Sequence, residues 1–279
     1  MDLFPRTEIG GVSVPRLICG TNWFLGYSHQ TRSRDEMIKR TQGARQIADV
    51  LEVFVRAGCD MLYGHREEAK IVDAVKDVED RTGRPVITLG TPTLELGQGP
   101  ENQAHNARVL DSFARIGCTF CWPHQCTTDA LVNRHTRRIE GMDRFCAMIR
   151  ERGMKPGLST HMPEAPIYAD ESDLDVDSYI QIYNAAGFLM QVEVDWVQRL
   201  IWGRRKPVLT IKPLAAGRLA PLVGLAFSWA TLRPIDMITV GCYTPDEARE
   251  VIDLSLSLLQ GHGGITDAAL QKTRSKASL

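Results

Sequence analysis

The sequence has no long apolar run, no extended stripe of basic residues and no regular spacing of cysteines. No stretch of about 18 apolar residues occurs, so we expect no membrane-spanning helix. The amino-terminal residues lack the pattern of a secretory signal, and the seven cysteines are scattered, so we expect a cytoplasmic protein with reduced thiols. The net charge is −1, and the basic residues form no stripe along the sequence. This argues against nucleic acid as a partner and favours a small-molecule ligand. No pattern indicates an oligomeric state.

What the sequence does contain is a regular alternation of short apolar runs and longer amphipathic stretches. Helical spacing is clear in Ile47, Val50, Leu51, Phe54 and Val55. Eight apolar runs predict strands at residues 17–20, 60–63, 85–90, 119–123, 156–159, 188–194, 208–212 and 237–241. The alternation predicts a parallel sheet, and eight repeats predict one α/β domain, a single (β/α)8 TIM barrel over residues 1–260 with a polar tail at 261–279.

Polar residues at the carboxyl ends of the predicted strands are the first candidates for chemistry, because active sites of such barrels lie there. His124 follows the fourth strand, where a histidine can exchange a proton near neutral pH or can simply be a core residue. Lys212 ends the seventh strand and is either a Schiff-base amine, a proton carrier, a carboxylate clamp or an exposed lysine. Asn22, Trp23 and Tyr27 lie in the long segment after the first strand, which can wall a substrate pocket or pin the loop.

A second constellation suggests a metal. His124, His161 and Glu193 are expected at the ends of strands four, five and six, and such a set can bind a divalent cation with positions left open for substrate. A cation there would stabilise an enediolate-like oxyanion, the chemistry of a lyase, isomerase or epimerase. Cys118 and Cys121 have a spacing known from metal sites, but side chains alternate along a strand, so we expect both in the core.

Several segments together resemble the aldo-keto reductase superfamily. The matching segments are 7–21 (opening hairpin and first strand), 57–60, Tyr63-Gly64 with Glu67-Glu68, 157–161 (similar to a Gly-x-Ser-Asn segment), 191–195 (similar to a Gln-x-Glu-Tyr-Asn strand), 213–217 and 239–247. Their order and spacing extend over most of the chain. The resemblance implies the barrel already predicted from the alternation.

The resemblance also implies a nicotinamide cofactor across the barrel mouth. Ser159 and Gln191 are similar to the residues that hold the carboxamide in the family. Leu214, Gly217 and Gly241 lie in the last two strand-to-helix turns, where the family binds its cofactor. His124 has the position of the active-site histidine. Tyr63 has either the role of the catalytic tyrosine or the place of the aspartate that is missing here.

The sequence departs from the family at several of its catalytic and cofactor positions. The family aspartate is absent, and the strand at 85–90 has no lysine at its end. Without these two partners we expect Tyr63 to keep a pKa near 10. Ile211 stands where the family has an aromatic residue that stacks on nicotinamide, and Gly241 and Glu247 replace a basic pair that grips an adenosine phosphate. We therefore expect NAD(H) as the possible dinucleotide and NADP as unlikely.

Three functions remain open at this level. The first is a divergent nicotinamide-dependent oxidoreductase acting on a carbonyl or hydroxyl carbon of a small, polar, sugar- or polyol-like substrate, with His124, Tyr63 and Lys212 as catalytic candidates. The second is a metal-assisted lyase, isomerase or epimerase on a sugar derivative. The third is a catalytically inactive barrel that serves as a binding subunit, because a fold alone does not determine a function.

Overall fold

The computed structural model describes residues 3–261. In chain order the strands are β1 (Arg6–Ile9), β2 (Val12–Pro15), β3 (Leu17–Gly20), β4 (Met61–Gly64), β5 (Ile87–Gly90), β6 (Phe120–Cys121), β7 (Val132–Asn133), β8 (Arg138–Ile139), β9 (Lys155–Pro156), β10 (Leu158–Ser159), β11 (Tyr179–Ile182), β12 (Val208–Ile211) and β13 (Met237–Val240). The helices are α1 (Asn22–Leu25), α2 (Arg32–Thr41), α3 (Ala44–Arg56), α4 (Ala69–Thr82), α5 (Pro100–Arg115), α6 (Gln125–Ala130), α7 (Met142–Arg150), α8 (Ala165–Glu171), α9 (Val194–Trp202), α10 (Pro221–Thr231) and α11 (Pro245–Leu259). The tail expected at 261–279 lies, beyond residue 261, outside the described residues.

The central sheet is parallel and forms the expected barrel. Its strand order is β10-β11-β12-β13-β3-β4-β5-β6-β9. Because β9 pairs with β6, β10 pairs with β11, and only Gly157 separates β9 from β10, the chain itself joins the two ends of the sheet. A Cβ atom at Gly157 would lie 2.4 Å from the Trp122 ring, so the closing strand needs a glycine to pass this buried indole. The prediction of a (β/α)8 barrel is confirmed.

Apolar side chains fill the barrel interior and its outer layer. The interior cluster includes Ile18, Phe120 and Trp122, and it also takes up Ile9 and Val14 from the β1–β2 hairpin. The hairpin therefore packs at the amino-terminal end of the strands, and the carboxyl-terminal end is left for a site. A larger cluster packs the helices on the outside, and it buries Cys118 and Cys121 as expected. Among residues 3–261 no helix has the length and apolar character needed to span a bilayer.

The sixth strand is not where the sequence pattern placed it. The strand expected at 188–194 is an irregular surface segment in which Gln191 and Glu193 are exposed, and Glu193 is the residue that precedes α9. The true sixth strand is β11, all four residues of which are buried. A short apolar run is consistent with a buried strand but does not require one. The apolar run at 188–194, together with the resemblance at 191–195, therefore misled the prediction.

Candidate active site

A pocket of about 630 Å³ opens at the carboxyl-terminal ends of the barrel strands. Most of the residues that the sequence singled out line it: Asn22, Trp23, Tyr27, Tyr63, His124, Ser159, His161, Lys212, Leu214, Gly217 and Gly241. Gln191 and Glu193 do not, because the segment that carries them lies outside the barrel strands. The fold thus assembles one site from residues that are up to about 200 positions apart in the sequence.

His124 directly precedes helix α6, and its ring is oriented by the start of that helix. Nδ1 accepts a hydrogen bond from the backbone N–H of Cys126 and lies 3.0 Å from the Cys126 Sγ. A neutral imidazole with an accepting Nδ1 carries its hydrogen on Nε2. Burial lowers the pKa of His124, with smaller contributions in the same direction from His65 and Lys212 and an opposing one from Glu67. We conclude that near pH 7 His124 is a neutral donor through Nε2–H.

Tyr63 lies on β4, and its phenol is deep in the same pocket. Burial raises the pKa of Tyr63 to about 12, and a hydrogen bond with Ser159 acts weakly in the opposite direction. The pKa near 10 expected from the sequence is therefore too low, because that expectation counted the missing charged partners but not desolvation. At the end of β5 the pocket is lined by Thr91, not by a lysine. The phenol stays protonated throughout the neutral range.

Lys212 follows β12 directly and has an unusual backbone. Its φ is +63°, and Ala215 and Ala216 in the same loop also have positive φ. The turn is closed by a hydrogen bond of 2.9 Å from the Ala215 N–H to the Lys212 carbonyl oxygen. Left-handed backbone at non-glycine residues is unfavourable and concentrates at functional sites. Burial alone lowers the pKa of Lys212 to about 8.

The metal set expected from the sequence is not assembled. His124 and His161 both line the pocket, but Glu193 is on the surface at the start of α9. Within residues 3–261 no three His, Cys, Asp or Glu side chains are arranged to hold a metal ion. Burial, reinforced by Lys212, His124 and His29, lowers the pKa of His161 to about 4, so this imidazole is neutral at pH 7.

Gln181 lies on β11, the sixth barrel strand, where the sequence analysis had expected Gln191. The segment Gln181-Ile182-Tyr183-Asn184 keeps the Gln, Tyr and Asn of the expected pattern with one residue fewer, which is the signal that could have located the strand. Gln181 is buried and does not line the pocket, and its Nε2 donates to the Met162 carbonyl oxygen at 3.2 Å. This hydrogen bond braces the β10–α8 connection.

His65 is a pocket residue that the sequence did not single out. It follows β4 directly, and its ring centroid lies 5.4 Å from that of Tyr27 and 6.2 Å from that of His124. Its backbone N–H donates to Thr21 Oγ1 at 3.0 Å, which ties it to the end of the first barrel strand. Its position directly after a strand is the sequence feature that could have identified it as a pocket residue.

The segment from α1 to α2 reaches across the barrel mouth to the last two turns. Gln30 Nε2 donates to the Ala216 carbonyl oxygen at 3.0 Å, and Gln42 Nε2 donates to the Tyr243 carbonyl oxygen at 2.8 Å. Trp23 packs against Gly241, where an added Cβ would lie 2.7 Å from the indole. These contacts make Trp23 a wall of the pocket and also pin the loop.

The pocket has features that fit a nicotinamide group. Ile211 gives it an apolar wall, and Gly217 and Gly241 leave part of the wall without side chains. The buried Thr239 Oγ1 lines the pocket and has no hydrogen-bond partner within residues 3–261, so a polar ligand group could satisfy it. Ser159 supplies a second hydroxyl in the same pocket.

Comparison with known proteins identifies the fold. No protein-family model and no curated protein sequence matches this chain. Solved structures do match: a protein from Pseudomonas aeruginosa classed as an aldo-keto reductase has a TM-score of 0.64 at 17% identity, covering 91% of this chain and 95% of its own. An aldo-keto reductase from Klebsiella pneumoniae in complex with NADPH has a TM-score of 0.60 at 13% identity, covering 100% and 98%. A Klebsiella pneumoniae aldo/keto reductase in complex with NADP and acetate has 0.56 at 14%, covering 97% and 94%. The chain has the aldo-keto reductase fold.

The expectation that NADP is unlikely is wrong. Both Klebsiella proteins, which share this fold, are complexes with NADPH or NADP. The expectation relied on Glu247 in place of a basic residue. In the structure the Glu247 carboxylate accepts a hydrogen bond from the Tyr243 N–H at 2.6 Å, and its own N–H donates to Thr244 Oγ1 at 3.2 Å. Glu247 therefore takes part in the hydrogen bonds at the start of helix α11, whose N-cap is Thr244, so its identity has a structural reason and does not report which cofactor binds.

Proposed function

We propose that this protein is a nicotinamide-dependent oxidoreductase that reduces a carbonyl carbon of a small polar substrate. The observation that carries the proposal is the convergence of the Tyr63 phenol, the His124 imidazole and the Ser159 hydroxyl in one pocket at the strand ends of this fold. Bound NADPH or NADH would supply the hydride. Ser159, Leu214, Gly217 and Gly241 line the part of the pocket proposed to hold it.

His124 and Tyr63 divide the work on the substrate oxygen in this proposal. The His124 Nε2–H donates a hydrogen bond to the carbonyl oxygen and so polarises it. Tyr63 delivers its proton to the oxygen as negative charge develops there, which is favourable because an alkoxide is a far stronger base than a phenolate. With a pKa of about 12, only about one Tyr63 in 10⁵ is ionised at pH 7, so this phenol is poorly suited to accept a proton. Reduction is therefore the proposed direction.

Direct binding of the two nucleotides tests the proposal first. NADPH and NADH are titrated separately into the protein, and the quenching of tryptophan fluorescence is recorded, because Trp23 lines the pocket against Gly241. We expect at least one of the two nucleotides to quench the fluorescence saturably. The absorbance of that reduced nucleotide at 340 nm should then fall when aldehydes, sugars or ketones are added. Failure of both nucleotides to bind would refute the proposal and favour a binding subunit.

Tyr63→Phe is the variant that separates binding from chemistry. It should leave nucleotide quenching in place and lower kcat about 10²-fold or more, as expected for loss of a general acid. Tyr168→Phe is the matched control, because it removes a phenol hydroxyl on α8, outside the pocket. Equal activity of the two variants would exclude Tyr63 as the proton donor.

A further inference from the structure

Among the described residues, one positive charge in the pocket has no negative partner. Lys212 lines the pocket, and within residues 3–261 no hydrogen bond or ion pair reaches its Nζ. Two other cations of low exposure are each paired with a carboxylate, Arg204 with Asp170 at 2.9 Å and Arg233 with Asp236 at 2.7 Å. Lys212 therefore differs from the cations that hold the fold together.

Two unfavourable features meet at this residue. An ammonium removed from water without a counter-ion is destabilising, and so is a left-handed backbone at a residue other than glycine. The turn is supported by the hydrogen bond from the Ala215 N–H to the Lys212 carbonyl oxygen, but no contact of residues 3–261 offsets the charge. A bound anion would offset the first, so the geometry is that of a site prepared for a negatively charged ligand group.

The neighbours of Lys212 favour a position beside the reacting carbon. Its charge is close enough to act on the imidazoles of His29, His124 and His161. His124 is the residue proposed to bind the carbonyl oxygen. Because Lys212 and His124 line one pocket, an anionic group bound by Lys212 can belong to the same molecule as the carbonyl.

We propose that Lys212 binds an anionic group of the substrate, a carboxylate or a phosphate, and that the substrates of this protein are acidic carbonyl compounds such as sugar acids or sugar phosphates. The proposal deepens the proposed function and rests on it for the carbonyl half of the substrate. The anion-binding half stands on Lys212 alone and can be tested without turnover.

The kinetic test uses pairs of carbonyl compounds that differ in one anionic group. Butanal is compared with succinic semialdehyde for carboxylate, and glyceraldehyde with glyceraldehyde 3-phosphate for phosphate. We expect the wild type to prefer the acidic member of at least one pair. Lys212→Met should reduce that preference about 10- to 100-fold, the range expected for losing a hydrogen bond to a charged group. Lys212→Arg should retain most of it.

Lys206→Met is the matched control for Lys212→Met. Lys206 precedes β12 at the opposite end of the same strand, where its Nζ lies 5.6 Å from the Tyr179 ring centroid. The control should keep the wild-type preference. The proposal is overturned if Lys212→Met lowers kcat/KM equally for both members of each pair. It is also overturned if that variant weakens NADPH binding and leaves the preference unchanged, since Lys212 would then hold the phosphates of the cofactor.

A binding test without nucleotide separates this proposal from the proposed function. Malonate and inorganic phosphate are each added to the wild type, Lys212→Met and Lys206→Met, and the thermal midpoint is measured. A ligand that binds only the folded state raises the midpoint. A rise that is lost only in Lys212→Met supports the anion site even if no carbonyl compound is reduced. A rise in none of the proteins, or the same rise in all three, refutes it.

Discussion

The unpaired charge of Lys212 makes a prediction about stability that is opposite to the usual effect of a mutation. Lys212→Met removes a half-buried ammonium and keeps a side chain of similar length, so it should stabilise the protein at neutral pH. Burial lowers the pKa of Lys212 from 10.5 to about 8 in the folded protein. Below pH 8 the lysine is charged in both the folded and the unfolded chain, and the whole cost of burying the charge is present.

The dependence on pH identifies the cause. Between pH 8 and 10.5 the folded protein releases the Lys212 proton before the unfolded chain does, so the wild type gains stability relative to the variant as pH rises. Above 10.5 the lysine is neutral in both states and the cost is gone. The difference of about 2.5 between the two pKa values corresponds to about 3.4 kcal/mol, and partial contact with water in the pocket reduces this to about 1–3 kcal/mol.

Urea unfolding of both proteins at pH 7 and pH 10, followed by circular dichroism, measures the effect. The relevant quantity is the difference between the two proteins at pH 7 minus that difference at pH 10, because constant contributions from packing cancel. We expect Lys212→Met to lose about 1–3 kcal/mol of relative stability between the two pH values. A difference that does not change with pH, or one that grows toward pH 10, would refute an unpaired, half-buried ammonium at this position.

Three further predictions concern the barrel closure, a buried ion pair and the proposed proton donor. Gly157→Ala should destabilise the protein by about 1–3 kcal/mol, measured by urea unfolding, because its Cβ would overlap Trp122; an unchanged midpoint would contradict this packing. Asp236→Asn should cost about 3–5 kcal/mol, measured by thermal unfolding, because it leaves the Arg233 guanidinium without its charged partner; a loss under 1 kcal/mol would contradict this. The kcat of Tyr63→Phe should fall about 10²- to 10⁴-fold in stopped assays from pH 6 to 9 without a change in the nucleotide Kd, and a wild-type kcat would exclude the proposed acid.

Most of the barrel could be predicted from the sequence because short apolar runs and amphipathic stretches alternate along the chain. Seven of the eight expected strand runs overlap strands of the central sheet. The exception shows the limit of the method. Gln181 lies on a buried strand, while the exposed segment around Gln191 combines a short apolar run with a likeness to the family's strand motif. The misplaced strand removed Gln191 from the cofactor candidates and Glu193 from the metal candidates.

For the site, too, some properties could be predicted from the sequence and others depend on the tertiary structure. His124, Tyr63, Ser159 and Lys212 could be chosen from the sequence, because each follows or ends a recognisable strand and a barrel brings strand ends together. Their protonation states could not be predicted from the sequence. The pKa of Tyr63 was expected from its charged partners, whereas burial, which is a property of the assembled pocket, dominates it.

The sequence by itself determined the class of fold and the edge of the barrel where the pocket lies, since hydrophobic periodicity and the succession of strands and helices can be read along the chain. Only the tertiary structure decided which polar residues share the pocket, that Glu193 is excluded from it, that Glu247 is hydrogen-bonded at the start of α11, and that Lys212 has no counter-ion among residues 3–261. These outcomes depend on desolvation and on contacts between residues far apart in the chain, and neither is encoded in the spacing of a motif.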